Sequence, residues 1–299
     1  MGLCDNERVN LAYFRRFYSE EIRIAARIAS PPLVEALAMV PREKFMGPPP
    51  WQIASGESLG NASLGLSDSQ WLTTDDPRDL YHNILVQLDA TLHANNGQPS
   101  ALAKWIDALS LKPGERVFHA GCGVGYYTAI MAEIVGPQGG VVAAEVNVGL
   151  AARAKENLAD YSNIAVHACD AATLDSGECD AMFINAGVTH PHKPWLERLR
   201  VGGRMVLPIT FTMPGTPSGT GVMLKITREA QGFSAKAISM VAIYSCTSVR
   251  DPELGVELKN AVASKALLKI SSVRIDAHEK TGSCVAHRAD VCLSLDKLA

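Results

Sequence analysis

This sequence of 299 residues has no strong excess of charge of one sign, no paired cysteines and no long apolar runs. Its 28 basic and 31 acidic residues leave a formal net charge of -3, so no overall electrostatic field favours nucleic acid or an anionic membrane. No apolar run reaches the roughly 18 residues of a membrane-spanning helix, and the first residues lack the apolar segment of a signal peptide. We therefore expect a soluble, cytoplasmic protein whose partner is a small molecule or a peptide.

The cysteine and histidine spacings that are typical of metal sites and disulfide frameworks are missing as well. No C-x-x-C pair occurs, and an odd number of cysteines does not suit a closed set of disulfides. His190 and His192 flank Pro191, but without a nearby cysteine or carboxylate pair they make a poor metal site. We expect reduced, mostly buried thiols and no metal. The cysteines are Cys4, Cys122, Cys169, Cys179, Cys246, Cys284 and Cys292.

The front of the chain is predicted to be helical. Apolar residues recur at helical spacing over residues 8–29, and a second helix starts at the prolines after Ser30 and ends before Pro41. Residues 47–79 are rich in Gly, Ser, Pro and Asp without a sustained period, which predicts a long loop with at most a short element inside it.

Short apolar strands alternate with helices from residue 116 to residue 209, in the order RVFHA, YYTAIMAEIV, GGVVAAEV, GLAARAKENLADY, IAVHACD, CDAMFINAG, PWLERLR and RMVLPI. This alternation predicts a doubly wound α/β fold with a mostly parallel sheet. Two further strands, 221–229 and 233–246, are joined by a turn too short for a crossover helix, so we expect an antiparallel hairpin at the sheet edge. Residues 254–269 are predicted to form a helix, and SVRID and VCLSL to form strands.

A glycine-rich turn joins the first of these strands to its helix, with Gly121, Gly123 and Gly125 in the pattern G-x-G-x-G. Glycine lets the chain turn tightly and lets a ligand approach the backbone. A dinucleotide site typically has a third glycine where this chain has the bulky Tyr126, and no G-K-[ST] follows as in a P-loop. The turn therefore predicts a nucleotide-type cofactor; Tyr126 disfavours a dinucleotide, and a P-loop is excluded.

Two acidic residues end the next strands. Glu145 closes the second strand, where a carboxylate can accept hydrogen bonds from both hydroxyls of a ribose. Asp170 and Ala171 follow the third strand, where a carboxylate can accept from an adenine amino group. Together with the glycines, these strand ends predict an adenosyl pocket that needs no phosphate.

Four segments together resemble the S-adenosylmethionine-dependent methyltransferases of the protein-L-isoaspartate O-methyltransferase family. They are VPREKF, GQPSALAKWIDALSLKPGERV, VFHAGCGVGYYTAIMAEIVGPQGGVVAAEVNVGLAARAKENL and WLERLRVGGRMVLPI, and the similarity covers roughly residues 30–245. The resemblance implies a Rossmann-like methyltransferase fold. It implies that the glycine turn holds the methionine end of S-adenosylmethionine, that Glu145 binds the ribose, and that Asp170 with Ala171 lies at the adenine.

Within this resemblance we expect three regions: 1–109 contributing to the substrate pocket, 110–250 binding the cofactor, and 251–299 as a C-terminal extension packed on the same domain. The expected cofactor residues are His119, Gly121, Cys122, Gly123, Gly125, Tyr126, Glu145, Val146, Asp170, Ala171 and Asn185. The expected catalytic residues are His93, Asn95 and Asn96, and the expected substrate-binding residues are Gln98, Tyr244 and Arg250.

The sequence departs from the family in its acceptor loop. The family has hydroxyl residues in a stretch similar to G-Q-T-I-S-x-P, whereas this chain has HANNGQPS at 93–100. One alignment places Asn95 and Gly97 at the hydroxyl positions, and the other deletes those positions altogether. Asn95 and Asn96 either bind the acceptor or shape the turn into Gly97. His119 also stands where relatives often have an acid before the glycines, and we expect this histidine to brace the loop.

Methyl transfer is an in-line displacement, and a carboxylate acceptor needs no base because it is ionised at neutral pH. A hydroxyl or amine acceptor makes a base useful, and His82, His93, His119 and His190 are candidates. Three functions remain open: methylation of isoaspartyl peptides, methylation of another carboxylate, hydroxyl or peptide, and an inactive cofactor-binding module. An NAD-dependent oxidoreductase is disfavoured by Tyr126.

Overall fold

A computed structural model describes residues 10–63, 71–212 and 218–298 of the chain. The chain divides into two units, Met1–Asp107 and Ala108–Ala299. Within the described ranges, no helix is both long enough and apolar enough to cross a membrane.

The first unit contains a small antiparallel sheet and several helices. The helices are α1 (Leu11–Ala26), α2 (Pro31–Met39), α3 (Arg42–Phe45), α4 (Gly56–Ser63) and α5 (Pro99–Leu109), and the strands are β1 (Trp51–Ala54), β2 (Leu72–Thr74), β3 (Leu85–Asp89) and β4 (Ala94–Asn95). The sheet has the strand order β2-β1-β3-β4, and the residues of helix α5 fall on both sides of the division between the units.

The two helices predicted at the front of the chain are confirmed. Helix α1 begins after Asn10, whose side-chain oxygen accepts from the backbone N–H of Ala12, as an N-cap residue does. Residues 8 and 9, with which that prediction began, lie outside the described residues. Helix α2 begins at Pro31 and ends before Pro41, as the prolines indicate.

The predicted long loop over residues 47–79 contains more structure than the sequence indicates. Strand β1 pairs with β2 on one side and with β3 on the other, and α4 follows β1 directly. Strands of three and four residues carry almost no periodic signal, because their partners rather than their own sequence hold them extended. Residues 64–70 of this segment lie outside the described residues.

The first unit also holds an arginine with no exposed side-chain surface. Arg42 donates from its guanidinium to the carbonyl oxygens of Leu80, His82 and Ile84. It also lies over the ring of Tyr18, 5.4 Å from the ring centroid. Because burying a guanidinium is costly unless it donates hydrogen bonds, these three bonds tie Arg42 to the segment that leads into β3.

The second unit is built on a ten-stranded sheet. Its strands are β5 (Arg116–Ala120), β6 (Gly140–Glu145), β7 (Ile164–Ala168), β8 (Cys179–Ile184), β9 (Leu199–Thr212), β10 (Ser218–Glu229), β11 (Gly232–Tyr244), β12 (Ser272–Arg274), β13 (Cys284–His287) and β14 (Cys292–Ser294). Its helices are α6 (Tyr126–Val135), α7 (Val148–Asn157), α8 (Lys193–Arg198) and α9 (Pro252–Ala263). The strand order in the sheet is β13-β14-β12-β11-β10-β9-β8-β5-β6-β7.

Strands β5 to β9 pair in parallel and carry the helices α6, α7 and α8 between them, which confirms the predicted doubly wound α/β fold. An apolar core joins the sheet to helices α8 and α9. Phe118 on β5, Met182 on β8 and Trp195 on α8 belong to this core and are fully buried. The parallel pairing of β7, β6, β5 and β8 as neighbours places their carboxyl ends side by side.

The predicted antiparallel hairpin is present as β10 and β11, but it does not end the sheet. Phe233 and Ser234 at the start of β11 pair with Val273 and Ser272 of β12, and β14 and β13 continue the sheet beyond β12. The prediction that the hairpin lies at the edge of the sheet is therefore wrong, because three further strands lie beyond it. The strands predicted at SVRID and VCLSL are present as β12 and β14, but their pairing beyond β11 is not predicted, because pairing between distant segments leaves no local signal in the sequence.

Candidate functional site

The glycine turn between β5 and α6 has the backbone that only glycine adopts freely. Gly121, Gly123 and Gly125 have φ values of +75°, +56° and +92°. Gly125 is the N-cap of α6 and adds no capping side chain, and the first turn of α6 contains no acidic residue. The partial positive charge at this helix end is therefore left to favour an anionic group nearby.

A side chain at these glycines would meet different surroundings. A Cβ at Gly125 would lie 2.7 Å from Cδ1 of Leu158, and one at Gly121 would lie 3.2 Å from the carbonyl oxygen of Asn185. A Cβ at Gly123 would meet nothing within 4 Å. Gly121 and Gly125 are thus needed for packing, whereas Gly123 leaves space over the backbone that a ligand can use.

We expect Gly125→Ala to lower the free energy of unfolding by about 2–3 kcal/mol, because it adds backbone strain and a clash with the buried Leu158. Gly123→Ala is the matched control, since it adds only the backbone strain, and we expect a loss of about 1 kcal/mol. Urea unfolding monitored by circular dichroism measures both. Equal losses in the two variants would contradict this packing role.

Glu145 closes β6 and is buried next to the turn. Its Oε2 accepts from the backbone N–H of Gly123 at 2.8 Å, and its Oε1 accepts from the N–H of Asn147 at 3.0 Å. A carboxylate offers about four lone-pair positions on its two oxygens. Glu145 therefore shapes the glycine turn and still has acceptor capacity for a pair of hydroxyls.

Asp170 follows β7 in a loop that is fixed by hydrogen bonds. Its Oδ1 accepts from the N–H of Ala172 at 2.9 Å and from the hydroxyl of Ser248 at 3.0 Å. The carbonyl oxygen of Ala171 accepts from the indole N–H of Trp195 at 3.3 Å. These bonds hold Asp170 and Ala171 in place at the end of the third parallel strand.

Asn185 ties two strand ends together. Its backbone N–H donates to the carbonyl oxygen of Ala120 at 2.8 Å, and its Nδ2 donates to that of Gly121 at 3.4 Å. Because β7, β6, β5 and β8 are neighbours in the sheet, the glycine turn, Glu145, Asp170 with Ala171, and Asn185 lie along one edge. This edge, at the carboxyl ends of parallel strands, is where open α/β sheets bind ligands.

His119 lies in the core and not at this edge. It has no exposed surface, its Nδ1 is 2.9 Å from the hydroxyl oxygen of Thr128, and its ring stacks on Phe183 at 5.2 Å. Burial lowers the pKa of His119 to about 3, so the ring is neutral. These facts argue against the expected contact with a cofactor and against a role as base, and they agree with a bracing residue.

Three other expected cofactor residues differ in exposure. Cys122 is buried, and burial together with Glu145 raises the pKa of its thiol well above the usual range, so it is not a nucleophile. The Tyr126 side chain is also buried, against the ring of Tyr127. Val146 is half exposed directly after Glu145, where an apolar surface can contact a base or ribose.

The residues expected to be catalytic lie in the first unit. His93 has a φ of +52° in the turn between β3 and β4. Oδ1 of Asn95 accepts from the N–H of Gly97 at 2.9 Å, which is the turn-shaping alternative for that residue. Asn96 is buried, and its Oδ1 accepts from the N–H of Val86 at 2.7 Å.

Two buried polar atoms in the same loop make no hydrogen bond within the described part of the chain. They are Nδ2 of Asn96 and Oε1 of Gln98. Nε2 of Gln98 donates to the carbonyl oxygen of Asn83 at 2.9 Å, which fixes the side chain. A buried donor and a buried acceptor without partners are costly unless a ligand or water satisfies them.

The expected substrate residues of the second unit have structural partners. Arg250 donates to the carbonyl oxygens of Gly187 and Thr210, both at 3.0 Å, and to the hydroxyl of Thr212 at 2.6 Å. Tyr244 accepts from the N–H of Gly187 through its carbonyl oxygen at 2.7 Å, and burial raises the pKa of its phenol. The guanidinium of Arg250 is thus mainly committed to the end of β9 and to Gly187.

Two residues of this site were not expected from the sequence. Asn147 caps α7 through its side chain, at 2.9 Å from the N–H of Leu150, and its own N–H fixes Glu145. An asparagine directly between a strand and a helix is an N-cap signal that sequence reasoning can use. Ser248, which binds Asp170, lies 78 residues away and gives no such signal.

Comparison with known proteins identifies the family. The sequence profile of protein-L-isoaspartate(D-aspartate) O-methyltransferase matches residues 61–244. A protein-L-isoaspartate O-methyltransferase of Ignicoccus hospitalis is 32% identical over 174 residues, which cover 56% of this chain and 79% of that protein. Another, from Aeropyrum pernix, is 30% identical over 221 residues, which cover 72% of each chain.

A solved structure shows that the fold is shared. It is a protein of Plasmodium falciparum assigned as a protein-L-isoaspartate O-methyltransferase, in complex with S-adenosyl-L-homocysteine. The TM-score is 0.58 at 16% identity, over 78% of this chain and 98% of that chain. The chain therefore belongs to the protein-L-isoaspartate O-methyltransferase family of S-adenosylmethionine-dependent methyltransferases.

Proposed function

We propose that this chain transfers a methyl group from S-adenosylmethionine to a carboxylate of a peptide or small molecule by in-line displacement. The observation that carries the proposal is the edge of the parallel sheet, where the glycine turn, Glu145 and Asp170 lie at neighbouring strand ends. S-adenosylmethionine supplies a methyl group activated by its sulfonium charge. The protein contributes position and exclusion of water, which together lower the barrier by several kcal/mol.

The residues at this edge fit the proposed cofactor. The space over Gly123 allows close approach to the backbone, and the uncapped start of α6 suits the carboxylate at the methionine end. Glu145 retains lone pairs for the two ribose hydroxyls, and Asp170 with Ala171 offers a carboxylate and backbone for the adenine. Val146 offers an apolar surface beside Glu145.

A carboxylate acceptor is favoured because the buried histidines of the second unit are poor bases. Burial lowers the pKa of His119 to about 3 and that of His190 to about 4. His190 also pairs with the hydroxyl of Thr189 at 2.9 Å. A hydroxyl or amine acceptor gains from a base whose pKa is near the working pH, whereas a carboxylate is already ionised at pH 7.

We propose that the loop carrying Asn95, Asn96 and Gln98 recognises the acceptor. The unpartnered Nδ2 of Asn96 is a donor suited to a carboxylate oxygen, and the unpartnered Oε1 of Gln98 is an acceptor suited to an N–H. Amides in place of the family's hydroxyls favour an acceptor other than an ordinary isoaspartyl peptide. Among carboxylate acceptors, a modified peptide or a small carboxylic acid is therefore favoured over an isoaspartyl peptide.

The test is a methyl-transfer assay with radiolabelled S-adenosylmethionine. The acceptors are an isoaspartyl peptide, its aspartyl form, its amidated form and a panel of small carboxylic acids. We expect base-labile label, which is typical of a methyl ester, on a carboxylate acceptor and at most weak label on the isoaspartyl peptide. Strong labelling of the isoaspartyl peptide would show that the amides of the loop do not redirect specificity.

The chemistry of the label separates the remaining functions. Base-stable label would indicate a hydroxyl or amine acceptor and would contradict the proposed carboxylate. Tight binding of S-adenosylhomocysteine without transfer to any acceptor on the panel would favour an inactive cofactor-binding module. The Glu145→Ala variant is the negative control of the assay, because it removes the proposed ribose contact.

A further inference from the structure

Four metal-ligating side chains meet in the C-terminal part of the sheet. Ligand atoms of His278, Cys284, His287 and Cys292 all lie within 4.8 Å of one another. Cys284 and His287 are the first and last residues of β13, and His287 lies directly opposite Cys292 of β14. His278 lies in the segment between β12 and β13. The hairpin of β13 and β14 thus presents three ligands, and the preceding segment adds the fourth.

We propose that these four residues bind a structural zinc ion in tetrahedral Cys2His2 coordination. Zinc bonds of about 2.3 Å to sulfur and about 2.0 Å to nitrogen, at a tetrahedral angle, place the sulfur and nitrogen about 3.5 Å apart. Sγ of Cys284 lies 3.7 Å from Nε2 of His278. This pair therefore already has the spacing of zinc ligands, and separations as long as 4.8 Å in the cluster need to shorten by about 1 Å.

Hydrogen bonds around the cluster direct its ligand atoms inward. Nδ1 of His278 lies 2.9 Å from the carbonyl oxygen of Asp276, and because a carbonyl only accepts, Nδ1 carries the proton. This leaves the Nε2 lone pair free to face Cys284. A zinc-binding histidine is commonly oriented in this way by a carbonyl or carboxylate at its other nitrogen.

The surroundings of Cys284 and His287 also favour metal binding. The backbone N–H of Thr281 donates to Sγ of Cys284 at 3.3 Å, and such a bond favours a thiolate. Nδ1 of His287 is buried and has no hydrogen-bond partner in the described part of the chain. A buried ring nitrogen without a partner is costly in a protein interior, and a metal ion would satisfy it.

The two thiols also have reason to bind a cation. Sγ of Cys284 and Sγ of Cys292 both belong to the cluster whose ligand atoms lie within 4.8 Å of one another. Two thiolates this close would repel each other if no cation lay between them. A divalent cation between the sulfurs removes that repulsion and lets both act as thiolate ligands.

The position of the cluster indicates a structural role. Strands β13 and β14 lie at the opposite end of the sheet from β5, β6 and β7, which carry the proposed cofactor residues. Four protein ligands leave no open coordination position for a substrate. Zinc would instead fasten the β13–β14 hairpin and the segment around His278 to each other, which short strands alone do weakly.

The full-length protein tests the proposal through its metal content. Elemental analysis by inductively coupled plasma mass spectrometry should find about one zinc per chain. Cys284→Ser and Cys292→Ser should each reduce this to below about one tenth. Chelation should lower the melting temperature by about 5 °C or more, with recovery on adding zinc. Cobalt should give the visible bands of a tetrahedral site with thiolate charge transfer.

Matched variants separate this site from adventitious zinc. Cys246→Ser and His167→Asn change the same residue types outside the cluster and should keep the zinc. Cobalt binding by the wild-type chain does not depend on whether the serine variants fold. Zinc retained by both serine variants, or a wild-type chain that takes up neither zinc nor cobalt, would overturn the proposal. So would a Cys284–Cys292 disulfide in protein purified under reducing conditions.

Discussion

Glu145→Ala is expected to weaken the binding of S-adenosylhomocysteine by at least about 100-fold, which corresponds to about 2.7 kcal/mol. The carboxylate accepts from the N–H groups of Gly123 and Asn147, at 2.8 and 3.0 Å. Hydrogen bonds to a charged group contribute about 1.5–3 kcal/mol each. Removing the carboxylate therefore releases the glycine turn and the start of α7, and it also removes the proposed acceptor of the ribose hydroxyls.

Two controls distinguish this effect from a general loss of structure. Glu145→Gln keeps the shape of the side chain but presents an NH2 group to one of the two backbone donors, so its affinity should also fall. Glu156→Gln changes an exposed glutamate on α7 and should leave the affinity unchanged. Isothermal titration calorimetry measures the affinities, and circular dichroism checks the fold. An affinity within about threefold of wild type for Glu145→Ala would remove Glu145 from the site.

The parts of the site that the sequence predicts are those with a local signal. Gly121, Gly123 and Gly125 stand between a strand pattern and a helix pattern, and their positive φ values explain why glycine occurs there. Glu145 and Asp170 follow apolar strands, so a parallel sheet brings them to one edge without knowledge of other contacts. Residue type and strand position suffice for both.

The parts that the sequence does not predict depend on contacts between distant segments. The hydroxyl of Ser248 reaches Asp170 from 78 residues away, and the buried Arg42 holds carbonyls about 40 residues further along the chain. Arg250, a plausible partner for a substrate carboxylate by residue type, is occupied by Gly187 and the threonines beside it. No periodicity or motif encodes such pairings.

The metal cluster shows the same limit. Its spacing, H-x5-C-x2-H-x4-C from His278 to Cys292, contains no C-x-x-C pair, so a search for paired cysteines passes over it. The ligands meet because β13 and β14 pair with His287 opposite Cys292. The strand at VCLSL is predicted and is present as β14, whereas β13 has only four residues and carries too little alternation to be predicted, so the pairing of the two is not predicted either.

His119 differs from these cases, because its residue type suggests chemistry while its environment indicates packing. The ring is enclosed between Thr128 of α6 and Phe183 of β8, and its Nε2 has no hydrogen-bond partner within the described residues. A charged imidazolium at this position would lack both water and a counter-charge. The fold therefore selects the neutral ring, and this selection has a measurable effect on stability.

We expect His119 to make the protein less stable in mild acid. In the unfolded chain a histidine has a pKa of about 6.5, whereas burial lowers the pKa of His119 in the folded chain to about 3. Between these values the unfolded state binds one more proton than the folded state. The stability that the neutral His119 contributes is therefore fully present above about pH 6.5 and is lost as the pH falls toward about 3. From about pH 7.5 to about 5.0 the loss is about 2 kcal/mol.

Urea unfolding at these two pH values measures the effect in the wild type and in two variants, His119→Gln and His119→Leu. Each variant removes the titrating group, so its free energy of unfolding should fall by about 2 kcal/mol less over the same range than that of the wild type. Other groups titrate equally in all three chains and cancel in the difference. Two variants are used because either one can lower the overall stability by disturbing Thr128 or Phe183. The comparison of slopes is independent of that loss, and parallel pH profiles would show that His119 is charged inside the fold.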